Sequence, residues 1–523
     1  MTIHLIFHTV RHLRMAQIVG QLRQRLVHSR LKVHELPTSP NKPCRWHVPP
    51  IPRYTCMAEH RFTFLNISDT FQQWDDMRHG MLWAYNLNYF DWLSQPNMTA
   101  EEGALWIDRF VERLPLLHIG LDPYPISLRG INWIKFICRF RTRLASKQVI
   151  HWDVSLYAQY RLLEKKLERH LMGNHLLEDA FSLSVGAIYF SDERMWRKSE
   201  QLLRRELAEQ VMADGAHYEQ SPMYHCILLD RLLDIYNFST GNLRFGNAQT
   251  YLNSYLCDKA TAMLGHLGSM LYADGTYPLF NDAALDIAPT PKAIFAYAAA
   301  LGISWQPLPL GACGYRHMQA GSFEAFVDIG GIAASYQPGH SHADALNFEL
   351  RIGGHPFIVD TGTSTYDKTS RRQFERSTAA HNTVTVDEHD SAEVWGGFRV
   401  GRRGHVRILT DKANEAEAQM SGVSGGLWHR RRIAIEGGSF CITDSIASGK
   451  QGTAHLHLAP NISVLSLSHR EIRTPSAVIH FQGAKAVRMA AGLVSTGYNQ
   501  LQHSTTIEIN FEGTLETSIG LDA

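Results

Sequence analysis

The stretch "GHSHADALNFEL", residues 339–350, places His340 and His342 two residues apart at the mouth of a run that alternates apolar and polar residues. In an extended chain that spacing sends both imidazoles to one side. Asp360 closes the apolar run of "HPFIVDTGT", and His381 opens another in "STAAHNTVTVD". Two histidines and a carboxylate at the edges of neighbouring strands would suit zinc, which takes imidazole nitrogen and carboxylate oxygen and keeps a fourth place for water. The plain alternative is a set of hydrogen-bonded histidines; His455 and His457 repeat the spacing in "TAHLHLA", and the chain holds 28 histidines.

Two further polar clusters stand in the first half. "GNHLLEDAFSL" puts Asn174 and His175 at the start of an apolar helix, where asparagine is a natural N-cap. "DGAHYEQSPMYHCILLD" crowds His217, Tyr218, Glu219, Gln220, Tyr224 and His225 around a turn entering a helix. So many titratable and aromatic polar groups point to chemistry more than to packing, although the cluster does not rank its own members.

The elements that must position these groups are legible from periodicity. In "WDVSLYAQYRLLEKKLERH" Leu156, Tyr160, Leu163 and Leu167 share a helical face, and Leu203, Leu207 and Val211 do so behind an Asp192 cap. Further helices are expected near 103–117, 128–146, 174–190, 220–238, 247–265 and 291–302, a succession that suggests stacked pairs. After about residue 310 short alternating segments take over, among them "SFEAFVDIG", "LNFELRI", "HVRILT", "SFCITDSI" and "TTIEINFEG". They read as an antiparallel sheet domain, and "LNFELRI" reads as a strand with one buried face. The expected organisation is an N-terminal arm over 1–60, irregular and Pro-rich, a helical domain over 61–310 and a strand domain over 311–523.

Composition bounds the function classes. The 51 Lys+Arg nearly cancel the 50 Asp+Glu, which does not suit a nucleic-acid binder that must displace counterions. Seven scattered cysteines without a C-x-x-C pair argue against a disulfide framework and a thiolate zinc site. No stretch reaches the length of an apolar membrane span. The first 30 residues lack the continuous apolar core of a signal peptide. The cytoplasm is therefore the expected compartment, with a periplasmic or membrane-associated location left open.

Taken in order, "WAYNLNYFDWL", "PYPISLRGINWIKF", "GNHLLEDAFSL", "DGAHYEQSPMYH", "QPGHSHADALNFELRIGGHPFIVDTGT" and "RRQFERSTAAHNTVTVD" resemble the heparinase II/III family of polysaccharide lyases, in the branch that includes alginate lyases. The resemblance implies a multidomain α+β chain: an incomplete (α/α) toroid followed by an antiparallel β-sandwich, with a cleft between them. It implies β-elimination at a uronic acid of an anionic polysaccharide or oligosaccharide. That chemistry needs a partner for the carboxylate, a base for the C5 proton and an acid for the departing O4 oxygen.

Matched position by position, the resemblance makes Asn174 the carboxylate-neutralising amide, with His175 as its helper. It makes Tyr224 the acid, or both acid and base, and gives His340 the part of base or carboxylate stabiliser. His342, Asp360 and His381 match the ligands of a structural zinc near the site, bracing the loop that bears His340. Tyr85, Asn88, Tyr89, Arg129, Arg371 and Arg376 are candidates for substrate binding, Arg376 equally for a structural ion pair. Trp133 belongs as readily to the core, and Tyr366 is a weak match for a second catalytic tyrosine. The absence of a visible leader favours work beside polysaccharide synthesis or on imported oligosaccharides over extracellular scavenging. Two other classes remain open. One is a glycoside hydrolase using two of Glu178, Asp179, Asp214 and Glu219; the other is a non-catalytic glycan-binding protein.

Overall fold

The computed structural model describes residues 3–26, 30–37, 43–54, 56–422 and 425–522. Helices dominate from Gly80 to Ala300 and strands from Tyr315 to Leu521. The expected helices are present at Ala100–Arg113, Pro123–Phe140, Ser146–Lys166, Gly173–Phe190, Glu193–Gln210, Pro222–Gly241, Gly246–Ser269 and Pro291–Ala300. Their starts are written in polar caps: Thr99, Asp192, Ser221 and Thr290 each accept a backbone N–H from the first turn, and proline follows the last two. The helix expected from 128 begins earlier, at Pro123, because proline suits a first turn that lacks an N–H partner anyway. Successive helices pack as neighbours around a core that includes Trp133, Trp152, Tyr160, Phe181 and Leu232.

The strand half contains a four-stranded antiparallel sheet, Tyr315–Ala320, Phe323–Asp328, Phe348–Ile352 and His355–Ile358, and a ten-stranded one. Phe348 and Leu350 from the first meet Ile442, Ile507 and Ile509 from the second in one apolar core, so the two sheets form a sandwich. Phe348–Ile352 departs from its expected single buried face, since all five of its residues are buried. Its polar side is covered by the segment that follows the last long helix of the ring. Glu349 accepts from Tyr272 Oη at 2.9 Å and from Leu279 N at 2.9 Å, and the Arg351 guanidinium lies 3.9 Å from the Tyr272 ring centroid.

The N-terminal arm is more ordered than its composition suggests. Helices Ile3–Val10 and Met15–Leu26 lie against the strand half, where Thr9 Oγ1 accepts from Trp395 Nε1 and Gln17 Nε2 donates to Tyr336 O. Residues 43–48 cross the helical half, with His47 and Val48 N–H groups both donated to Asn237 Oδ1. Of the Pro-rich stretch 36–54, residues 38–42 lie outside the described residues. Among the described residues no helix is long and apolar enough to cross a membrane.

One device joins the two halves, and a second braces the sandwich from within. The hairpin of Ala477–Gly497 and Gln500–Leu521 reaches back to the helical half, where Tyr498 O accepts from Asn66 Nδ2 at 2.8 Å and Asn499 Nδ2 donates to Leu65 O at 2.9 Å. Inside the sandwich, Arg431 is paired with Asp444 (2.7 and 3.0 Å) and also donates to the carbonyls of Leu346 and Asn382. It thereby ties down both loops that carry the histidines of interest. Burial opposes ionisation of Asp444, but Arg431 and His429 outweigh it and hold the carboxyl down at about 2. A depressed carboxyl contributes stability that is present above the unfolded value and is lost as pH falls through the folded one. Asp444 should therefore contribute about 2 kcal/mol above pH ~4, declining toward pH ~2. Acid unfolding of Asp444→Asn should show a flatter limb over that window; an unchanged limb would remove the pair from the account.

Candidate active site

Gly173 starts the helix Gly173–Phe190 in the left-handed region, at φ +59°, and a Cβ there would meet Glu219 Oε1 at 2.2 Å. This close approach lets Glu219 receive both the Asn174 backbone N–H (2.9 Å, to Oε1) and Asn174 Nδ2 (2.7 Å, to Oε2). Asn174 is thus not the N-cap that its position suggests; its amide is held out of the helix and faces His340 Nε2 at 3.3 Å. Gly173→Ala should therefore both strain the backbone, by about 1–2 kcal/mol, and displace Asn174. A drop in Tm together with lost turnover is expected, and full activity in this variant would contradict the arrangement.

Asp282 is the hub on the other side. Its Oδ2 lies 2.9 Å from His340 Nδ1, its Oδ1 lies 2.8 Å from His342 Nε2, and Arg372 grips both oxygens, at 2.8 Å for the Nη2–Oδ2 contact. Burial alone would raise this carboxyl, but the Arg372 guanidinium and the two histidines hold it well below the usual range. An ionised carboxylate can only accept, so the proton of His340 sits on Nδ1 and that of His342 on Nε2. The two histidines do share one side of the chain, as their spacing requires, and one carboxylate is what they share. His340 Nε2 is left facing Asn174, with Glu219 Oε2 at 3.7 Å.

Ser221 caps Pro222–Gly241 by accepting the Tyr224 N–H at 3.2 Å, and its hydroxyl donates to Asp282 O at 2.7 Å. The Tyr224 ring therefore lies over His340, centroids 4.0 Å apart. Its hydroxyl stands 3.3 Å from that of Tyr366, which the 361–378 loop delivers against Phe398 and Tyr498. Burial pushes the Tyr224 phenol up, so it is a neutral O–H near neutral pH. Tyr224 and Tyr366 are each partly exposed, as a cleft wall requires. His175 is also partly exposed; burial opposes its charge, but Glu168 at 3.0 Å outweighs that and raises its pKa. Its ring meets Tyr124 at 4.7 Å, and Tyr124 leads to Tyr89 and then Tyr85, whose hydroxyl donates to Asp122.

Several expected binding residues lie elsewhere. Asn88 is fully buried and donates to the carbonyls of Trp74 and Ala84. Arg129 is fully buried, with its donors on Gln159, Asn88 O and Gly120 O. Arg376 is buried as well and donates to the carbonyls of Ser341, Trp395 and Arg399. These three hold loops and helix ends together, and their burial keeps them from a sugar acid. Arg371 is engaged by Glu375 and Leu493 O. Trp133 belongs to the core. Of the carboxylates a hydrolase would need, Asp179 accepts from Ser127 and Glu168 N, Glu178 is buried beside Arg231 at 3.4 Å, and Asp214 accepts backbone N–H groups. Sequence reasoning missed Asp282 altogether: in "YPLFNDAAL" it is one acid after an apolar run, with no partner nearby in sequence.

The expected metal ligands are neighbours. His342 and His381 have ring centroids 5.2 Å apart, and His342 Nδ1 and His381 Nε2 are buried without a partner. Burial pushes His342 down to about 3, so Nδ1 offers a lone pair. These two nitrogens are donors of the type zinc takes. Asp360 is engaged instead by His381 Nδ1 (2.7 Å) and Asn347 Nδ2 (2.6 Å). Burial opposes charge on His381, but Asp360 outweighs it and raises the ring to about 9, so an ion there must displace a proton.

Comparison with known proteins bears on the family and the fold. The family model "Heparinase II/III N-terminus" matches residues 135–299, and "Heparinase II/III-like, C-terminal" matches 304–522. A heparin-sulfate lyase of Bacteroides stercoris is 25% identical over 316 residues, covering 54% of this chain and 45% of the relative. Another, from Pedobacter heparinus, is 28% identical over 245 residues, covering 42% and 36%. The matched stretches thus span less than half the length of either relative. A solved heparinase III superposes with a TM-score of 0.66 at 13% identity, over 97% of this chain and 89% of that one, which shows a shared toroid-and-sandwich fold. Two family models in their proper order, meeting at the change from helices to strands, leave one assignment: the chain belongs to the heparinase II/III family.

Proposed function

We propose that the protein is a polysaccharide lyase that cleaves a uronic-acid-containing glycosaminoglycan-like chain by β-elimination. The observation that carries this reading is the convergence of Asn174, Tyr224 and His340 on one face, with Asp282 fixing the His340 tautomer. A uronate carboxylate placed against the Asn174 amide would have its growing enolate charge met by that donor. His340 Nε2, free of a proton, takes the C5 hydrogen. The C4–O4 bond breaks as the C4–C5 double bond forms, and the Tyr224 hydroxyl gives its proton to O4. His340 then gives its proton to solvent and Tyr224 takes one back, so the cycle needs no co-reactant. Tyr366, 3.3 Å from the Tyr224 oxygen, orients that hydroxyl. Tyr85 and Tyr124, both partly exposed, provide a wall on which sugar faces can stack, with Tyr89 buried between them.

His342 Nδ1 and His381 Nε2 would hold a zinc ion that braces the Asp282 side of the site, with Asp360 orienting His381 through its other ring nitrogen; a fixed positive charge is what the ion would supply there. No step of the elimination is routed through it, since elimination needs no hydroxide. Substrate screening tests the reading: heparan sulfate, hyaluronan, chondroitin and alginate are incubated with the protein and the ultraviolet absorbance of the conjugated product is followed. Absorbance that grows with at least one of these supports the lyase. Reducing ends that accumulate without it support hydrolysis instead.

A further inference from the structure

Away from the cleft, three buried side chains from distant segments meet. Asp214 lies in the turn after Glu193–Gln210, His266 in the last turn of Gly246–Ser269, and Cys313 just ahead of the strand Tyr315–Ala320. One ligand atom from each lies within 4.8 Å of the other two. Their exposures are 7%, 4% and 1%. His266 Nδ1 has no hydrogen-bond partner, and His266 and Cys313 line a small cavity that also touches His217, Ser221 and Pro222. A buried polar atom left unanswered costs about 1–3 kcal/mol. A ligand that answered it here would remove that cost.

We propose that Asp214, His266 and Cys313 form a second metal site that takes a zinc-type cation. The donor set selects the metal: a thiolate and an imidazole beside one carboxylate suit zinc, whereas magnesium and calcium require oxygen ligands. Asp214 is already oriented for this. Its Oδ2 accepts the Gly311 and Cys313 N–H groups at 3.1 and 2.9 Å, and Oδ1 accepts that of Ala216 at 3.3 Å, which leaves a lone pair on Oδ1 for an ion. On binding, the Cys313 S–H bond breaks, its proton leaves to solvent and the sulfur–metal bond forms; nothing is oxidised or reduced. A water in the cavity completes the fourth position.

The ion would join two turns of the helical half to the entry of the sandwich, directly behind the Ser221–Pro222 turn that presents Tyr224. Its role is structural: it fixes the distance between the halves that contribute Tyr224 and His340. The scattered cysteines argue against a thiolate zinc site when read in sequence, because these ligands stand 52 and 47 residues apart and meet only on folding. The inference does not rest on the lyase reading, and its test reads metal and not turnover.

The test loads the full chain, stripped by chelator, with cobalt(II). A thiolate-to-cobalt charge-transfer band in the near ultraviolet is expected in the wild type and in His342→Ala, and is lost in Cys313→Ala. Metal analysis of protein purified with zinc should show Cys313→Ala and His266→Gln each about one equivalent below wild type. The wild-type spectrum keeps the idea testable even where a variant fails to fold. A wild type without the band, or a band that persists in Cys313→Ala, overturns the site.

Discussion

Tyr224→Phe should reduce kcat by about 10²–10⁴-fold, the range that positioned acid–base groups contribute, while leaving the fold intact. The ring packs over His340 through its face, and phenylalanine keeps that contact. The hydroxyl's hydrogen-bond partner is Tyr366, itself partly exposed, so its loss leaves no buried group stranded. Thermal unfolding should therefore match wild type within about 1 kcal/mol, and KM should change far less than kcat. A variant with full turnover would move the acid to Tyr366 and overturn the assignment.

Asp282→Asn is expected to have the other large effect, and by a different route. The carboxylate accepts from His340, His342 and Arg372 at once; an amide has one acceptor oxygen and must turn its NH₂ toward one of these donors. If the NH₂ faces His340 Nδ1, the ring is forced into the other tautomer and Nε2 no longer accepts a proton. A loss of about 10³–10⁴-fold in kcat follows, by analogy with the orienting aspartate of a catalytic triad. The buried Arg372 also loses its counter-charge, at a cost of about 3–5 kcal/mol, so Tm should fall as well. The Asp282→Glu variant separates the two effects: it restores the charge while displacing the carboxylate, so recovery of stability without recovery of kcat identifies positioning as the larger cause.

The division into helices and strands was legible because each period is local: Leu203 and Leu207 sit under Asp192, and Ser221–Pro222 announces its own helix. The family's motifs pointed to Asn174, Tyr224 and His340, and folding brings these three together. Roles that depend on distant contacts were not legible. Arg129 stands in a motif and has a charge suited to a uronate, yet folding buries it against carbonyls of Asn88 and Gly120. Asn174 looks like a cap because asparagine caps helices; only the contact with Glu219, 45 residues on, reverses that. Phe348–Ile352 alternates as a half-exposed strand should, but its polar side is closed over by the segment containing Tyr272. Asp282 carries no local signal, because its three partners come from residues 340, 342 and 372.

The oxygen source at the cut bond is the most direct test of elimination. Cleavage run in water labelled with heavy oxygen, with product masses read by mass spectrometry, separates the chemistries without reference to any one residue. The account predicts fragments whose masses sum to that of the parent chain, one of them unsaturated and none carrying the label. A labelled reducing end, with the mass of one water gained per cut, would contradict it.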